Sequence, residues 1–133
     1  LFSNSIMTNI KGIVLKEKDF TSNLNGVYVN QNKINKNPGM LLIWGDFCSH
    51  CHRFMPTFNE LCDSIGKDFT CTSIESEEIT DSLRDKLDFK GFPTIKFFDQ
   101  TGRIIGNYSG NRGKDDLLNH ICNVYHHCYS YNH

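Results

Sequence analysis

The stretch Met40-Leu41-Leu42-Ile43-Trp44-Gly45-Asp46-Phe47-Cys48-Ser49-His50-Cys51 decides the fold of this chain. Its apolar run at residues 40–44 is typical of a strand that is covered on both faces. The stretch ends in a Cys-x-x-Cys motif, which opens a helical pattern. Two cysteines at this spacing can form a disulfide across one helical turn, and the positive end of the helix favours the thiolate of the first cysteine. The stretch therefore predicts a redox site directly after a buried strand.

The rest of the sequence predicts alternating strands and helices. We expect strands at residues 10–15, 27–29, 40–44, 69–74, 94–98 and 104–108, and helices at residues 17–20, 48–65, 81–87 and 114–125. Pro56 lies inside the second helix and should kink it, whereas Asn25-Gly26 and residues 99–102 mark turns. This order predicts an α/β fold with a mixed central sheet and helices on both faces. The cysteine motif then lies at the carboxyl edge of the sheet, where α/β folds place their active sites.

Length and charge restrict the class of protein. The chain has 133 residues, enough for one domain. We place that domain at residues 10–125, between an N-terminal extension at 1–9, in part a cloning remnant, and a C-terminal tail at 126–133. The formal net charge of −1 gives no electrostatic reason to expect a nucleic-acid partner. No apolar stretch approaches membrane-spanning length, and the first residues lack the pattern of a signal peptide. We therefore expect a monomer without a membrane partner.

Four of the six cysteines lie outside the motif. Their spacing does not indicate a disulfide scaffold, so we expect buried free thiols and a reducing, cytoplasmic location, with a virion or an oxidising compartment as the alternatives. These four are Cys62, Cys71, Cys122 and Cys128. Cys62 and Cys71 could lie near each other, from helix and strand, but two buried thiols are favoured over a second redox pair. A metal site near residues 122–128 is an alternative, although a core-facing Cys122 with solvated histidines is the favoured interpretation.

Two segments of the chain resemble the thioredoxin superfamily, including its protein disulfide isomerase-like domains. Residues 44–56, from Trp44 to Pro56, are similar to the family's W-A-x-W-C-x-x-C segment with a proline five residues after the second cysteine. Gly91-Phe92-Pro93-Thr94 resembles the family's G-[IV]-P-T segment, which contains a cis proline. The composition is also similar, more faintly, to that of thioredoxin-like proteins of large DNA viruses. The resemblance implies a thioredoxin fold over residues 10–125.

The resemblance also implies a role for each site residue. Cys48 would be the attacking thiolate, and Cys51 would be the resolving thiol. Pro93, if cis, would place the Phe92 backbone beside the disulfide, where an extended substrate pairs with it like an added strand. The remaining residues that would flank the site and offer apolar surface are Trp44 and Phe47.

Two departures from the family pattern bear on activity. Thioredoxin proper has Gly-Pro between its cysteines, whereas this chain has Ser-His. A positively charged His50 would stabilise the neighbouring thiolate and make the disulfide more oxidising, which favours oxidase or isomerase behaviour over reductase behaviour. Leu42 replaces a buried carboxylate that accepts the proton of the resolving cysteine, and Ser73 replaces its lysine partner. Without that base, Cys51 should attack more slowly near neutral pH.

The sequence therefore predicts a thiol–disulfide oxidoreductase that exchanges disulfides with protein substrates and with an unidentified redox partner. It needs no metal and no cofactor beyond the Cys48–Cys51 disulfide itself. Residues 48–52 also match the c-type haem string C-x-x-C-H, and the two cysteines supply half of a structural zinc site. A further alternative is a redox-quiet binding module with this fold, such as a structural or virion component.

Overall fold

The computed structural model describes residues 9–129, so most of the expected N-terminal extension and the end of the tail lie outside the described residues. Its strands are β1 (Ile13–Val14), β2 (Phe20–Asn23), β3 (Gly26–Val29), β4 (Gly39–Trp44), β5 (Thr70–Glu75), β6 (Thr94–Phe98) and β7 (Ile104–Asn107). Its α-helices are α1 (Ser49–Ser64), α2 (Asp81–Leu87) and α3 (Lys114–Tyr125). Within residues 9–129, none of the helices has the length and apolar character that crossing a membrane requires.

A five-stranded mixed sheet in the order β1-β5-β4-β6-β7 forms the centre of the fold. Strand β4 pairs in parallel with β5 and antiparallel with β6. Helices α1 and α3 pack on one face of the sheet, whereas α2 packs on the other. This is the thioredoxin fold, and it confirms the predicted α/β class with helices on both faces.

Strand β4 explains why the apolar run is unbroken. All six of its residues are buried, because alternate side chains enter two different cores. Met40, Leu42 and Trp44 contribute to the core beneath α1 and α3. Leu41 and Ile43 contribute to the core beneath α2. A strand in this position has no face that tolerates a solvated side chain.

Helix α1 continues through Pro56 from Ser49 to Ser64. Its buried side chains include Phe54, Phe58 and Leu61, which form the apolar stripe that the sequence predicts. A proline in a helix removes one backbone hydrogen bond, and packing of this stripe against the sheet offsets that loss.

The N-terminal part of the domain differs from the prediction. The first strand covers only Ile13–Val14 rather than residues 10–15. Strand β2 follows a short 3₁₀ helix (Glu17–Asp19) and pairs with β3 in a separate two-stranded hairpin. The sequence analysis missed β2 because its last three residues are polar and exposed, so the strand lacks an apolar alternation. The hairpin is attached to the main sheet where the Val29 N–H donates to the carbonyl of Gly102 at 2.8 Å.

Two disulfides contradict the prediction of free thiols outside the motif. One joins Cys62 on α1 to Cys71 on β5, with their Cα atoms 5.7 Å apart. The other joins Cys122 on α3 to Cys128 in the segment that follows it. For Cys62 and Cys71 the prediction was wrong because helix α1 packs over β5, which brings these two residues together. Only Cys48 and Cys51 remain as free thiols among residues 9–129.

The described part of the C-terminal tail is folded against the domain. The Tyr129 hydroxyl donates to a carboxylate oxygen of Asp68 at 2.7 Å, and the His127 ring packs edge-to-face on Phe69. The Cys122–Cys128 disulfide closes this segment onto the end of α3. The tail is therefore tied to the loop that leads into β5.

We expect removal of the Cys62–Cys71 disulfide to lower the free energy of unfolding. Closing a loop of this length stabilises the folded state by about 2–3 kcal/mol in the chain-entropy description. The double variant Cys62→Ala/Cys71→Ala should therefore show a lower urea midpoint at an unchanged m-value. The matched variant Cys122→Ala/Cys128→Ala should lose less, since its loop lies at the end of the last helix. An unchanged midpoint in the first variant would contradict the prediction.

Candidate active site

The end of β4 and the start of α1 hold the two free cysteines. Cys48 is the N-cap residue of α1, and its sulfur accepts a hydrogen bond from the backbone N–H of Cys51 at 3.2 Å. Helix N-termini carry unpaired N–H groups and partial positive charge, which stabilise an anion there. The Cys48 sulfur is thus placed where a thiolate gains the most, and it is partly exposed.

The loop before β6 forms the opposite wall of the site. The peptide bond between Phe92 and Pro93 is cis, as the resemblance implies. The Cys48 thiol donates to the Phe92 carbonyl at 3.6 Å, which is within reach of a weak sulfur hydrogen bond. Antiparallel pairing of β6 with β4, in which Thr94 lies opposite Ile43, brings this loop to the start of α1.

Cys51 lies beneath Cys48 and is nearly inaccessible, with 1% of its surface exposed. The pKa of the Cys51 thiol is raised to about 12, chiefly by burial and then by the interaction with Cys48. A backbone hydrogen bond at Gly45 and, less strongly, the positive charge of Arg112 act in the opposite direction. The second thiol is therefore protonated at neutral pH and needs help to lose its proton.

No carboxylate replaces the base that the family carries beneath this thiol. Leu42 is fully buried in the same core as Cys51. Ser73 lies opposite Leu42 in the β4–β5 register, and its buried hydroxyl has no hydrogen-bond partner among the described residues. The two departures thus lie side by side in the sheet. A carboxylate alone in this core would be costly, which accounts for the joint loss of both charges.

His50 lies on the exposed first turn of α1 and contacts Arg53. An Arg53 guanidinium nitrogen lies 2.8 Å from Nδ1 of His50. Because a guanidinium only donates hydrogen bonds, Nδ1 of His50 accepts in this contact. Arg53 therefore adds a permanent positive charge beside His50 on the first turn of α1.

Aromatic side chains form the exposed rim of the site. The ring of Phe47, which is 74% exposed, packs edge-to-face on Phe92 with centroids 5.4 Å apart. Phe92 also contacts Phe89, and the Arg84 guanidinium lies over the Phe89 ring. Trp44 differs from the expectation, since it packs in the core with Cys51 and is only 7% exposed. Apolar surface at this site therefore comes from the phenylalanines.

A groove extends from the Pro93 loop towards the start of α3. Its volume is about 480 Å³, and its walls are Asp88, residues 90–95 and residues 107–110 together with Arg112. The sequence analysis missed Arg112, which lies in the loop before α3. Local sequence carries no signal for it, because its proximity to Cys51 arises only when β7 folds back beside β6.

The rival metal sites fit the geometry poorly. His52 of the haem-like string uses Nε2 to contact the Asp46 carbonyl at 2.7 Å, and its Nδ1 is buried, so neither nitrogen faces an open ligand position. Among residues 9–129, no three histidine, cysteine or carboxylate side chains converge as metal ligands would. The cluster near the C-terminus instead contains a disulfide between Cys122 and Cys128.

We expect alkylation of Cys51 to rise steeply with pH. In a Cys48→Ala variant, Cys51 is the single free thiol of the described chain. Because burial raises its pKa well above 9, the rate with iodoacetamide should increase about tenfold per pH unit from pH 7 to 9. Peptide mass spectrometry after timed quenching measures this rate, and a plateau within that range would contradict the raised pKa.

Position 42 offers a matched control for this measurement. Leu42→Glu adds a carboxylate beneath Cys51, and Leu42→Gln adds a side chain of similar size without one. Only the glutamate variant should flatten the pH dependence. Equal profiles for the two variants would indicate a packing effect rather than proton transfer.

Comparisons with known proteins identify a family model and relatives with similar sequences. The family model "Thioredoxin" matches residues 13–123. Protein disulfide-isomerase erp38 of Neurospora crassa is 28% identical over 102 residues, covering 75% of this chain and 27% of that protein. Protein disulfide isomerase-like 1-1 of Arabidopsis thaliana is 28% identical over 83 residues, covering 62% of this chain and 16% of that protein. The chain thus spans about a quarter or less of the length of these relatives.

Solved structures show the same fold. Human ERp44 superposes with a TM-score of 0.67 at 16% identity, covering 85% of this chain and 30% of that one. The J-Trx1 fragment of ERdj5 superposes with a TM-score of 0.62 at 17% identity, covering 84% of this chain and 50% of that one. At these identities the likeness concerns the fold alone.

Proposed function

Because this chain belongs to the thioredoxin family, we propose that it is a thiol–disulfide oxidoreductase acting on protein substrates through Cys48 and Cys51. The observation that carries the proposal is the position of the Cys48 sulfur. It lies between the Cys51 backbone N–H at 3.2 Å and the Phe92 carbonyl at 3.6 Å. The first contact stabilises a thiolate, and the second brings a backbone edge to which substrate can pair. The relatives named as protein disulfide isomerases support the same reaction class.

The exchange proceeds in two steps that balance electrons and protons. The Cys48 thiolate attacks one sulfur of a substrate disulfide, forms a mixed disulfide and releases the other substrate sulfur as a thiol. Cys51 then loses its proton and attacks the Cys48 sulfur, which releases the second substrate thiol. Two electrons pass to the substrate and leave a Cys48–Cys51 disulfide. The reverse sequence oxidises a substrate dithiol.

The charges at the site favour the oxidising direction. A positive group near the helix start stabilises the reduced thiolate form, which makes the disulfide a stronger oxidant. We assign this influence to His50 together with Arg53, since the two side chains are in contact. The two influences that lower the pKa of the Cys51 thiol are a backbone hydrogen bond at Gly45 and the positive charge of Arg112, and neither of these groups is a base. A slow second step prolongs the mixed disulfide, which suits an isomerase.

The alternative is a redox-quiet binding module. Leu42 favours this alternative, because it replaces the carboxylate that the family uses to activate the resolving thiol. The exposed Phe47 and half-buried Phe92 would then serve only as an apolar contact surface.

The redox equilibrium of Cys48 and Cys51 against glutathione separates these functions. We expect a potential of roughly −200 to −120 mV, as for oxidases and isomerases. His50→Ala should shift it by roughly 30 mV towards more negative values, a factor of about ten in the equilibrium constant. Quenched, alkylated samples resolved by mass report the oxidised fraction.

Two outcomes of that measurement would contradict the expectation. A potential near roughly −270 mV would replace the oxidising assignment with a reductase. Failure of the two cysteines to form a disulfide at any glutathione ratio would reject the enzyme in favour of the binding module. Cys51→Ser is the control, because it should arrest the reaction at a mixed disulfide on Cys48.

We further propose that the protein works in an oxidising compartment rather than in the cytoplasm that the sequence favours. Two disulfides outside the motif support this location, since cytosolic reductants keep such pairs reduced. Rapid thiol blocking of the protein in the cells that produce it, followed by mass spectrometry, should find both pairs oxidised. Free thiols at Cys62 and Cys71 would restore the cytoplasmic prediction.

A further inference from the structure

We propose that the groove beside Pro93 selects substrates that carry an acidic side chain close to the reacting cysteine, and that Lys90 and Arg112 read this charge. The inference rests on the proposed exchange reaction, and it adds the class of substrate. The groove of about 480 Å³ contains both cationic residues together with the Gly91–Pro93 backbone. The groove therefore places two positive charges next to the backbone edge with which a substrate would pair.

The position of the groove relative to the reacting sulfur sets which substrate residues it receives. The Phe92 carbonyl is the group that contacts Cys48, and Gly91 and Lys90 directly precede Phe92 in the chain. An extended segment advances about 3.3 Å per residue. A substrate paired with the Phe92 backbone through its cysteine therefore passes Lys90 within two or three residues.

Arg112 lines the same groove. Its positive charge is close enough to Cys51 to lower the pKa of that thiol, and it shares the lining with Tyr108 and Gly110. A substrate side chain in the groove would thus meet the charges of both Lys90 and Arg112.

These two cations are not engaged by the protein itself. Among residues 9–129, the ion pairs involve Lys11, Lys33, Lys114 and His127, and neither Lys90 nor Arg112 takes part in one. Among the described residues, the one acidic residue that lines the groove is Asp88, whose negative charge also acts on the buried Lys96. Two positive charges against one negative charge leave the groove with an excess of positive charge.

Other charges near the groove do not reverse this balance. Asp116 lines a neighbouring depression with His120; its charge reaches Tyr108, which lines both the depression and the groove, and at most it balances the excess of positive charge. Burial lowers the pKa of His120, so this ring adds no positive charge at neutral pH. A carboxylate on the substrate is the complement that the groove lacks.

The test compares homodisulfides of a one-cysteine peptide that carries Glu, Gln or Lys two residues from the cysteine on either side. The full chain with Cys51→Ser reports only the attack by Cys48, so the effect of Arg112 on Cys51 cannot enter. Each second-order rate constant is divided by the rate of the same peptide with dithiothreitol, which removes differences in intrinsic disulfide reactivity. Stopped samples resolved by mass give the rates.

We expect the Glu peptide to react faster than the Gln peptide by about two- to fivefold for each cation that it meets, and the Lys peptide to react more slowly than both. The preference should shrink as salt is raised from 20 mM to about 0.5 M, because exposed charges are screened. Lys90→Gln and Arg112→Gln should each reduce the ratio of Glu to Lys rates. Lys67 lies before β5 and does not line the groove. Lys67→Gln therefore removes the same charge elsewhere and should leave the ratio unchanged.

The outcomes separate this inference from the function on which it rests. Equal normalised rates for the three peptides, or a loss of preference in Lys67→Gln equal to that in Lys90→Gln, would overturn the acidic selectivity while the oxidoreductase assignment stands. Failure of every peptide to form a mixed disulfide with Cys48 would overturn the proposed function, and the selectivity with it.

Discussion

The pairing of β4 with β6 is the constraint on which the site depends. Cys48 follows the carboxyl end of β4, and the loop that carries Phe92 and Pro93 leads into β6. Because Thr94 lies opposite Ile43 in the antiparallel register, the two chain segments meet at one edge of the sheet. A slip of one residue would turn the apolar side chains of β4 towards the wrong cores. The packing of two cores thus fixes the distance between the Cys48 sulfur and the Phe92 backbone.

The same packing sets the chemistry of the second cysteine. Cys51 belongs to the core that contains Leu42 and Phe58, and burial in that core is what raises its pKa. A carboxylate at position 42 would help to remove the proton, but an unpaired charge there costs several kcal/mol of stability. This chain has an apolar residue at the position and a serine beside it. A carboxylate at position 42 would therefore speed proton removal from Cys51 and lower the stability of the core.

The sequence predicted those elements whose pattern is set locally. Residues 40–44 alternate between two cores, and α1 carries its apolar stripe at helical spacing, so both could be recognised without knowledge of the fold. Strand β2 could not, because its last three side chains are polar and exposed. It forms a strand because the turn at Asn25 lets it pair with β3. The two motifs, around Cys48 and around Pro93, predicted that distant segments would meet. Their resemblance to a family supplied the information that periodicity lacks.

What escaped prediction was contact between elements. The disulfide between Cys62 and Cys71 joins α1 to β5; the helix and strand patterns allowed the two residues to lie close, but they did not show that the thiols are bonded. Arg112 acts on Cys51 from a loop some sixty residues away. Both concern where a side chain lies once the sheet has formed.

The distribution of charge around the cysteines links the two proposals. Arg53 lies on the helix side of Cys48, whereas Lys90 and Arg112 lie on the side of the Pro93 groove. A cation near Cys48 would stabilise the thiolate of the free protein, whereas Lys90 and Arg112 in the groove would also meet the charge of a bound substrate. The first influence shifts the equilibrium between thiol and disulfide for every substrate alike. The second distinguishes substrates from one another, because its contribution depends on the charge that each one brings.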